Sequence, residues 1–371
     1  ALALWSAATL AAVVVAACLR RRGRPLRSAP GWPDGAGPEG KEEQTDRWLA
    51  ARDEDSGRAF YYNFGLGQIR WADRHGQVGP SAAAVPNGCP GAIQFGGVGR
   101  VSLVNAQWNT PGDRAGRVGV VGGAIVPSIK SRSYFSKACN PGGFDRSQYL
   151  SLPLLGNTFR YTTDLSGAQC GCNVALYLTS MRQHDDPSMC HDFYCDASNV
   201  CNGSCAEVDL QEANSRAWYS TLHVPGDSRG FGAGYGAAHH DWNASAYGPG
   251  GRCIDTARPF QVAISFPVGP DGVLLAMQIR LTQKGRPCDG VSASLDPAMY
   301  GFRGRQERQE VSTAMAQGMT PVVSYWSQEG PQGMAWLDGL GKDLRGPCQR
   351  GLSATCTDAV RFWGFSIEPI R

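Results

Sequence analysis

The pattern of apolar and polar positions divides this 371-residue chain into a front of short, dissimilar segments and a long strand-rich remainder. Ala1 through Cys18 are nearly all apolar, and a cluster of Arg20, Arg21, Arg22, Arg24 and Arg27 follows at once. Such a segment is just long enough for a membrane span and also matches a long signal h-region; a signal anchor over 1–18 is the first reading. Residues 19–44 are basic, then rich in Pro, Gly and charge, and read as a linker. Residues 45–75 carry three short strand signals around the aromatic run Phe60-Tyr61-Tyr62, with turns at Asp55-Ser56-Gly57 and Gly65-Leu66-Gly67. A second linker, 76–84, leads into residues 85–371. There, apolar runs are short, broken by Gly and Pro, and long apolar stripes at helical period are few. That pattern predicts an all-β region of many strands joined by tight turns.

One predicted strand carries chemistry. Glu207-Val208-Asp209-Leu210-Gln211-Glu212-Ala213-Asn214-Ser215 sets three carboxylates in the order E-x-D-x-x-E within a stretch otherwise poor in charge. Strand alternation puts Glu207 and Asp209 on one face. The five-residue step to Glu212 has the wrong parity, so a shared site requires a β-bulge near Leu210 or Gln211. Glycoside hydrolysis needs two carboxyl groups with opposite jobs, and Glu207 and Glu212 are the natural pair. Asp209 would hydrogen-bond Glu207 and keep it ionised, while Glu212 stays protonated. From spacing alone, a solvated acidic strand edge is the other reading.

These residues resemble the catalytic strand of glycoside hydrolase family 7, which reads E-x-D-x-W-E-A-N-S, with Gln211 standing where the Trp usually sits. The resemblance implies Glu207 as nucleophile, Asp209 as its helper, Glu212 as acid/base and His223 in support. Other blocks agree in order. Leu154 to Phe159, then Cys170-Gly171-Cys172-Asn173-Val174-Ala175-Leu176-Tyr177, would supply Asn173 and Tyr177 to the substrate. Tyr194-Cys195-Asp196 would make Asp196 a sugar-hydroxyl partner. Tyr247-Gly248-Pro249-Gly250, Asp255-Thr256 and Pro259-Phe260 match the next segment. Ser324-Tyr325-Trp326 and Met334-Ala335-Trp336-Leu337-Asp338 would supply sugar-stacking tryptophans, and Arg345 in Arg345-Gly346-Pro347-Cys348 would line the cleft.

The matching blocks run from about residue 150 to the end, while 80–150 match poorly. The resemblance implies a concanavalin A-like β-jelly-roll sandwich of two curved antiparallel sheets and a retaining β-1,4-glucanase acting on β-1,4-glucan without metal or cofactor. The stretch between His223 and Tyr247 is shorter than the family's and lacks its Cys-rich, arginine-bearing loop. An open cleft and endo action follow. The alternative is a catalytically weak or inactive glycan-binding protein on the same fold, which Gln211 and the short loops encourage. Residues 45–75 resemble a WW domain, with Trp48 and Trp71 as its two tryptophans. A groove of Tyr62 and Trp71 would grip a proline-rich peptide; a WW-based adaptor with a purely structural sandwich is the third reading.

Composition narrows the setting. Charged residues are 18% of the chain and the formal net charge is +3. Removing the five clustered arginines leaves the rest close to neutral, which argues against nucleic acid as partner. Thirteen cysteines suit an oxidising compartment. Apart from Cys18, twelve run from Cys89 to Cys356, and six disulfides of undetermined pairing are the leading reading; metal binding by Cys190, Cys195, Cys201 and Cys205 is the alternative. Asn202-Gly203-Ser204 and Asn243-Ala244-Ser245 are N-glycosylation acceptor sequences. The protein is therefore expected to be secreted, or membrane-anchored with its main domain extracellular or lumenal. Arginines after an apolar span would favour a cytosolic domain by the positive-inside tendency; the cysteines and acceptor sequences outweigh it.

Overall fold

A computed structural model of the chain describes residues 88–140, 143–328, 333–339, 346–348 and 356–370, together with the backbone of three strands nearer the start. The apolar segment 1–18, both linkers, Trp48 and Arg345 lie outside the described residues. The chain divides into two compact units, Ala1–Gly79 and Pro80–Arg371.

In the first unit, β1 (Leu49–Arg52), β2 (Ala59–Asn63) and β3 (Gln68–Trp71) form an antiparallel sheet in that order. Phe60 pairs with Trp71 and Tyr62 with Ile69. The side chains of Tyr62 and Trp71 are outside the described part.

The second unit is an all-β sandwich. Its strands begin with β4 (Gly91–Phe95), β5 (Gly99–Asn105), the short pair β6 (Trp108–Thr110) and β7 (Asp113–Arg114), then β8 (Val118–Val121), β9 (Ala124–Pro127) and β10 (Ser131–Ser136). The middle holds β11 (Asn157–Asp164), β12 (Asn173–Thr179), β13 (Glu207–Ala213), β14 (Trp218–His223) and β15 (Phe231–Tyr235). After the short pair β16 (Tyr247–Gly248) and β17 (Ile254–Asp255) come β18 (Phe260–Ser265), β19 (Met277–Thr282), β20 (Val291–Leu295), β21 (Thr320–Trp326) and β22 (Arg361–Pro369). An eight-stranded sheet has the order β15-β14-β13-β12-β21-β10-β5-β4, and a seven-stranded sheet the order β20-β19-β18-β11-β22-β9-β8. Every pairing in both sheets is antiparallel.

One hydrophobic core lies between the sheets. Val174, Leu176, Val208, Leu210 and Leu222 come from the eight-stranded sheet, and Phe159, Val262, Ile264, Ile279, Leu281 and Phe362 from the other. Phe95, Phe135, Phe159 and Phe365 interlock there with mostly edge-to-face geometry. The residues of opposite parity on the eight-stranded sheet face away from this core. Ala175, Tyr177, Tyr134 and Val322 join a second buried cluster with Tyr194 and four cysteines. That outer layer is the floor of the site.

All twelve cysteines from Cys89 to Cys356 are paired: Cys89–Cys139, Cys170–Cys348, Cys172–Cys356, Cys190–Cys201, Cys195–Cys205 and Cys253–Cys288. The metal alternative for Cys190, Cys195, Cys201 and Cys205 is thereby overturned, because no free thiolate remains there. Cys170–Cys348 and Cys172–Cys356 close loops of 178 and 184 residues. In the chain-entropy account the first bridge of that span stabilises by about 5 kcal/mol, and the second, which then closes only a short loop, adds less. Among the described residues no helix is long and apolar enough to cross a membrane.

Candidate active site

β12 and β13 pair with Leu176 opposite Gln211 and Tyr177 opposite Asp209, so Leu210 is the extra residue of a bulge. The same shift falls between Asp209 and Glu212 on the β14 side. Leu210 joins the core between the sheets. Gln211 also turns inward, where it accepts from the Tyr161 hydroxyl and donates to the Val174 carbonyl. With two successive residues directed inward, Glu212 returns to the face of Glu207 and Asp209. The expected bulge is therefore present, and the departure at Gln211 points its side chain into the core.

Each carboxyl has its own holder. Glu207 Oε2 accepts from the Ala197 N–H at 2.9 Å, and Glu207 and Asp209 share a hydrogen bond. Asp209 Oδ2 lies 2.8 Å from His223 Nε2, both buried. His223 Nδ1 meets the Asp227 carbonyl at 2.7 Å. A carbonyl only accepts, so Nδ1 carries a hydrogen. Glu212 Oε1 accepts from Asn173 Nδ2 at 2.8 Å.

Burial is the first cause of every shift in this cluster. It pushes Asp209 up to about 8, with the nearby Asp196 charge adding to it. It pushes Glu212 up to about 8 as well, helped by Asp209. Glu207 is raised by burial and then by the charges of Asp209 and Asp196, against the His223 charge and the Ala197 N–H. Asp196 is raised by burial and accepts from the Val200 N–H at 3.0 Å. Carboxyls this close cannot all ionise. Glu207 receives the Ala197 N–H and shares a hydrogen bond with Asp209.

A cavity of about 500 Å³ runs over these groups. Tyr177, Tyr194 and Asp196 line one part, with the two tyrosine hydroxyls 2.9 Å apart. Trp326 and Trp336 line another, their rings stacked on each other at 6.2 Å, and Trp336 stands edge-on to Tyr219. The segment bearing Trp336 is tied to the end of β13. Asp338 accepts from Asn214 Nδ2 at 2.7 Å and from the Gly171 N–H, and Asn214 also donates to the Cys172 carbonyl. Burial lifts the Asp338 carboxyl to about 6.

The structure thus gathers Glu207, Asp209, Glu212, His223, Tyr177, Asp196, Trp326 and Trp336 around one cavity. Asn173 behaves differently from the expectation. It is fully buried and holds Glu212 instead of lining the cavity. Several lining residues escaped the sequence reading, Thr221, Tyr219, Arg132 and Arg229 among them. Thr221 and Tyr219 were findable, since they alternate with His223 on β14. Arg132 was not. Its guanidinium lies 3.7 Å above the Tyr194 ring and donates to the Trp108 and Asn109 carbonyls, partners scattered along the chain. The shortened stretch after His223 also supplies a cation, Arg229, on the cavity wall; the loss of an arginine there is thus only partial.

No protein-family model matches the chain. Among curated proteins it is 28% identical over 245 residues to a probable endo-β-1,4-glucanase of Neosartorya fischeri, covering 55% of this chain and 59% of that protein. It is 28% identical over 253 residues to endoglucanase 1 of Pyricularia oryzae, again with 59% of the relative covered. The chain therefore spans somewhat under two thirds of the length of these relatives. Among solved structures, a Humicola insolens endocellulase superposes with a TM-score of 0.57 at 19% identity, covering 78% of this chain and 98% of the other. An endoglucanase I complexed with cellobiose gives 0.56 at 18%, and a family 7 cellobiohydrolase of Daphnia pulex 0.54 at 16%. The β-sandwich of residues 80–371 has the fold of these cellulases.

Proposed function

We propose that the larger unit is a retaining β-1,4-glucanase that cuts within the chain of its substrate. The observation that carries this reading is the bulge at Leu210, which puts Glu212 on the same face as Glu207 and Asp209 in an aromatic-walled cleft. The names of the curated relatives agree with it. Glu207, as carboxylate, attacks the anomeric carbon. Glu212, protonated below about pH 8, gives its proton to the departing glycosidic oxygen. Asn173 occupies Oε1, which leaves the proton on Oε2. The glycosyl–Glu207 ester then forms, and the cut end leaves as an alcohol. Water, deprotonated by Glu212, attacks the same carbon, releases Glu207 and restores the proton to Glu212.

Asp209 shares a hydrogen bond with Glu207, and His223 braces Asp209 from behind. Tyr177, Asp196, Arg229 and Arg132 offer polar contacts to sugar hydroxyls, and Trp326 and Trp336 an apolar face. Arg345 belongs to this reading by sequence alone. Gln211, one of the features that encouraged the non-catalytic alternative, lies in the core. The test is hydrolysis of soluble cellulose by the full chain. Viscosity should fall faster than reducing ends appear. Glu207→Gln should abolish both, and azide should rescue Glu207→Ala by forming a glycosyl azide of inverted configuration. A folded, glucan-binding protein without hydrolysis would sink the proposal.

The six disulfides support an extracellular or lumenal location, reached through residues 1–18 as signal or anchor. The three-stranded first unit supports a WW-type module that takes a proline-rich peptide between Tyr62 and Trp71. Loss of peptide binding in Tyr62→Ala and Trp71→Ala is the corresponding test.

A further inference from the structure

Both Asn-X-Ser sequences expose their Asn and Ser, and they differ in the local bonding around the Asn amide. We propose that Asn243 is an N-glycosylation site whose oligosaccharide covers the open edge of the sandwich, and that Asn202 stays unmodified. Asn243 and Ser245 are both exposed. Asn243 Oδ1 accepts from the Ser245 N–H at 3.0 Å, the Ser245 hydroxyl at 2.6 Å and the Ala246 N–H at 3.1 Å. These donors polarise the amide and ease the loss of a proton from Nδ2. Nδ2 itself has no partner among the described residues. All three bonds fall within four residues, so the turn can form in the nascent chain before the sandwich closes.

The transfer balances with a lipid-linked diphosphate oligosaccharide as donor. Nδ2 bonds to C1 of the first sugar while the C1–O bond to the diphosphate breaks. The lipid diphosphate leaves with the electron pair, and the Nδ2 proton passes to a base of the transferase.

Asn202 lacks this geometry. It stands at φ 57° between Cys201 and Cys205, which pair with Cys190 and Cys195. Gly203 is wedged so closely that an added Cβ would lie 2.6 Å from His184 Nε2. No bond joins the Ser204 hydroxyl to Asn202 among the described residues. Its conformation is held by a turn bond to the Asn199 carbonyl and by the two flanking disulfides, with no Ser-to-Asn turn among the described residues.

The position of Asn243 gives the glycan a purpose. Asp241 accepts from the Gly234 N–H of β15 at 2.7 Å, and Trp242 Nε1 donates to the Ser292 carbonyl of β20 at 2.9 Å. β15 and β20 are the terminal strands of the two sheets. The loop therefore bridges both edges, and edges are templates for aggregation that a bulky polar group blocks. Asn243 does not line the cleft.

The full chain, secreted from a eukaryotic host, is treated with a glycan-releasing amidase in heavy-oxygen water, which marks each occupied Asn as labelled Asp. The expected label is at 243 and absent at 202. N243Q and S245A should each lose one oligosaccharide mass, N202Q none, and hydrolysis of soluble cellulose should be unchanged in all three. N243Q and enzymatically stripped protein should aggregate faster than the intact form. A secreted protein unlabelled at 243, or labelled at 202, overturns the site assignment; equal aggregation overturns the edge-covering role. S245A keeps Asn243, so a folding defect peculiar to the Gln variant leaves the outcome readable.

Discussion

The two sheets of the sandwich follow different rules. On the seven-stranded sheet, β18 and β19 alternate: Phe260, Val262, Ile264, Met277, Ile279 and Leu281 are buried, whereas Gln261, Gln278 and Arg280 are exposed. One face meets the core and the other meets water. On the eight-stranded sheet, every residue of β12 and β14 is buried. Its second face lies under the disulfide-stapled segment 188–205 and the cleft, so polar groups such as Asp209, Thr221 and His223 are buried there, with Asp209 and His223 as partners of one another. One sheet is therefore built for stability alone, and the other trades a wet face for chemistry.

Changes on the cleft face should strike activity, and changes on the inner face stability. The largest expected effect is that of Glu207→Gln, a loss of a thousandfold or more in kcat, on the order of 10³ or above, with little change in Tm. A large drop in Tm instead would make Glu207 a structural residue. Next, Leu281→Ala on the seven-stranded sheet should cost about 2–5 kcal/mol in denaturant unfolding, with unchanged kcat per folded molecule. Asn173→Ala should lower kcat by about 10–100-fold, as loss of a residue orienting a proton donor does. It should also move the alkaline limb of the rate profile upward, since the Asn173 bond favours ionised Glu212. An unmoved limb would restrict Asn173 to packing.

The smallest effect is a slope. Asp209 and Glu212 hold their protons to about pH 8 when folded, against about 4 when unfolded. Their contribution to stability is complete below about pH 4 and lost progressively as pH rises toward 8. Tm should therefore decline across that window, less steeply in Asp209→Asn, and a flat profile in the parent protein would contradict the burial of these groups.

The same contrast explains what could be read in advance. Alternation on β18 and β19 and the Gly and Pro turns announce strands, because a half-wet sheet writes its period into the sequence. E-x-D-x-x-E announced a bulge, because three carboxyls cannot otherwise share a face, and Leu210 supplies it. Arg132 left no local mark as a cleft residue, since its partners Trp108, Asn109 and Tyr194 reach it only by folding. Asn173 was placed at the substrate by the family resemblance; that its amide instead holds Glu212 depends on the β12–β13 register.

By itself, then, the sequence determined that residues 85–371 form many short strands, that their cysteines pair in an oxidising setting, and that the carboxyls worth watching are Glu207, Asp209 and Glu212. Those properties are local: periodicity, composition and spacing. Which cysteines pair, where Gln211 points and how far each carboxyl is lifted were decided only by tertiary structure. Each depends on groups tens to hundreds of residues apart meeting in a medium of low dielectric, where burial sets the strength of every polar contact.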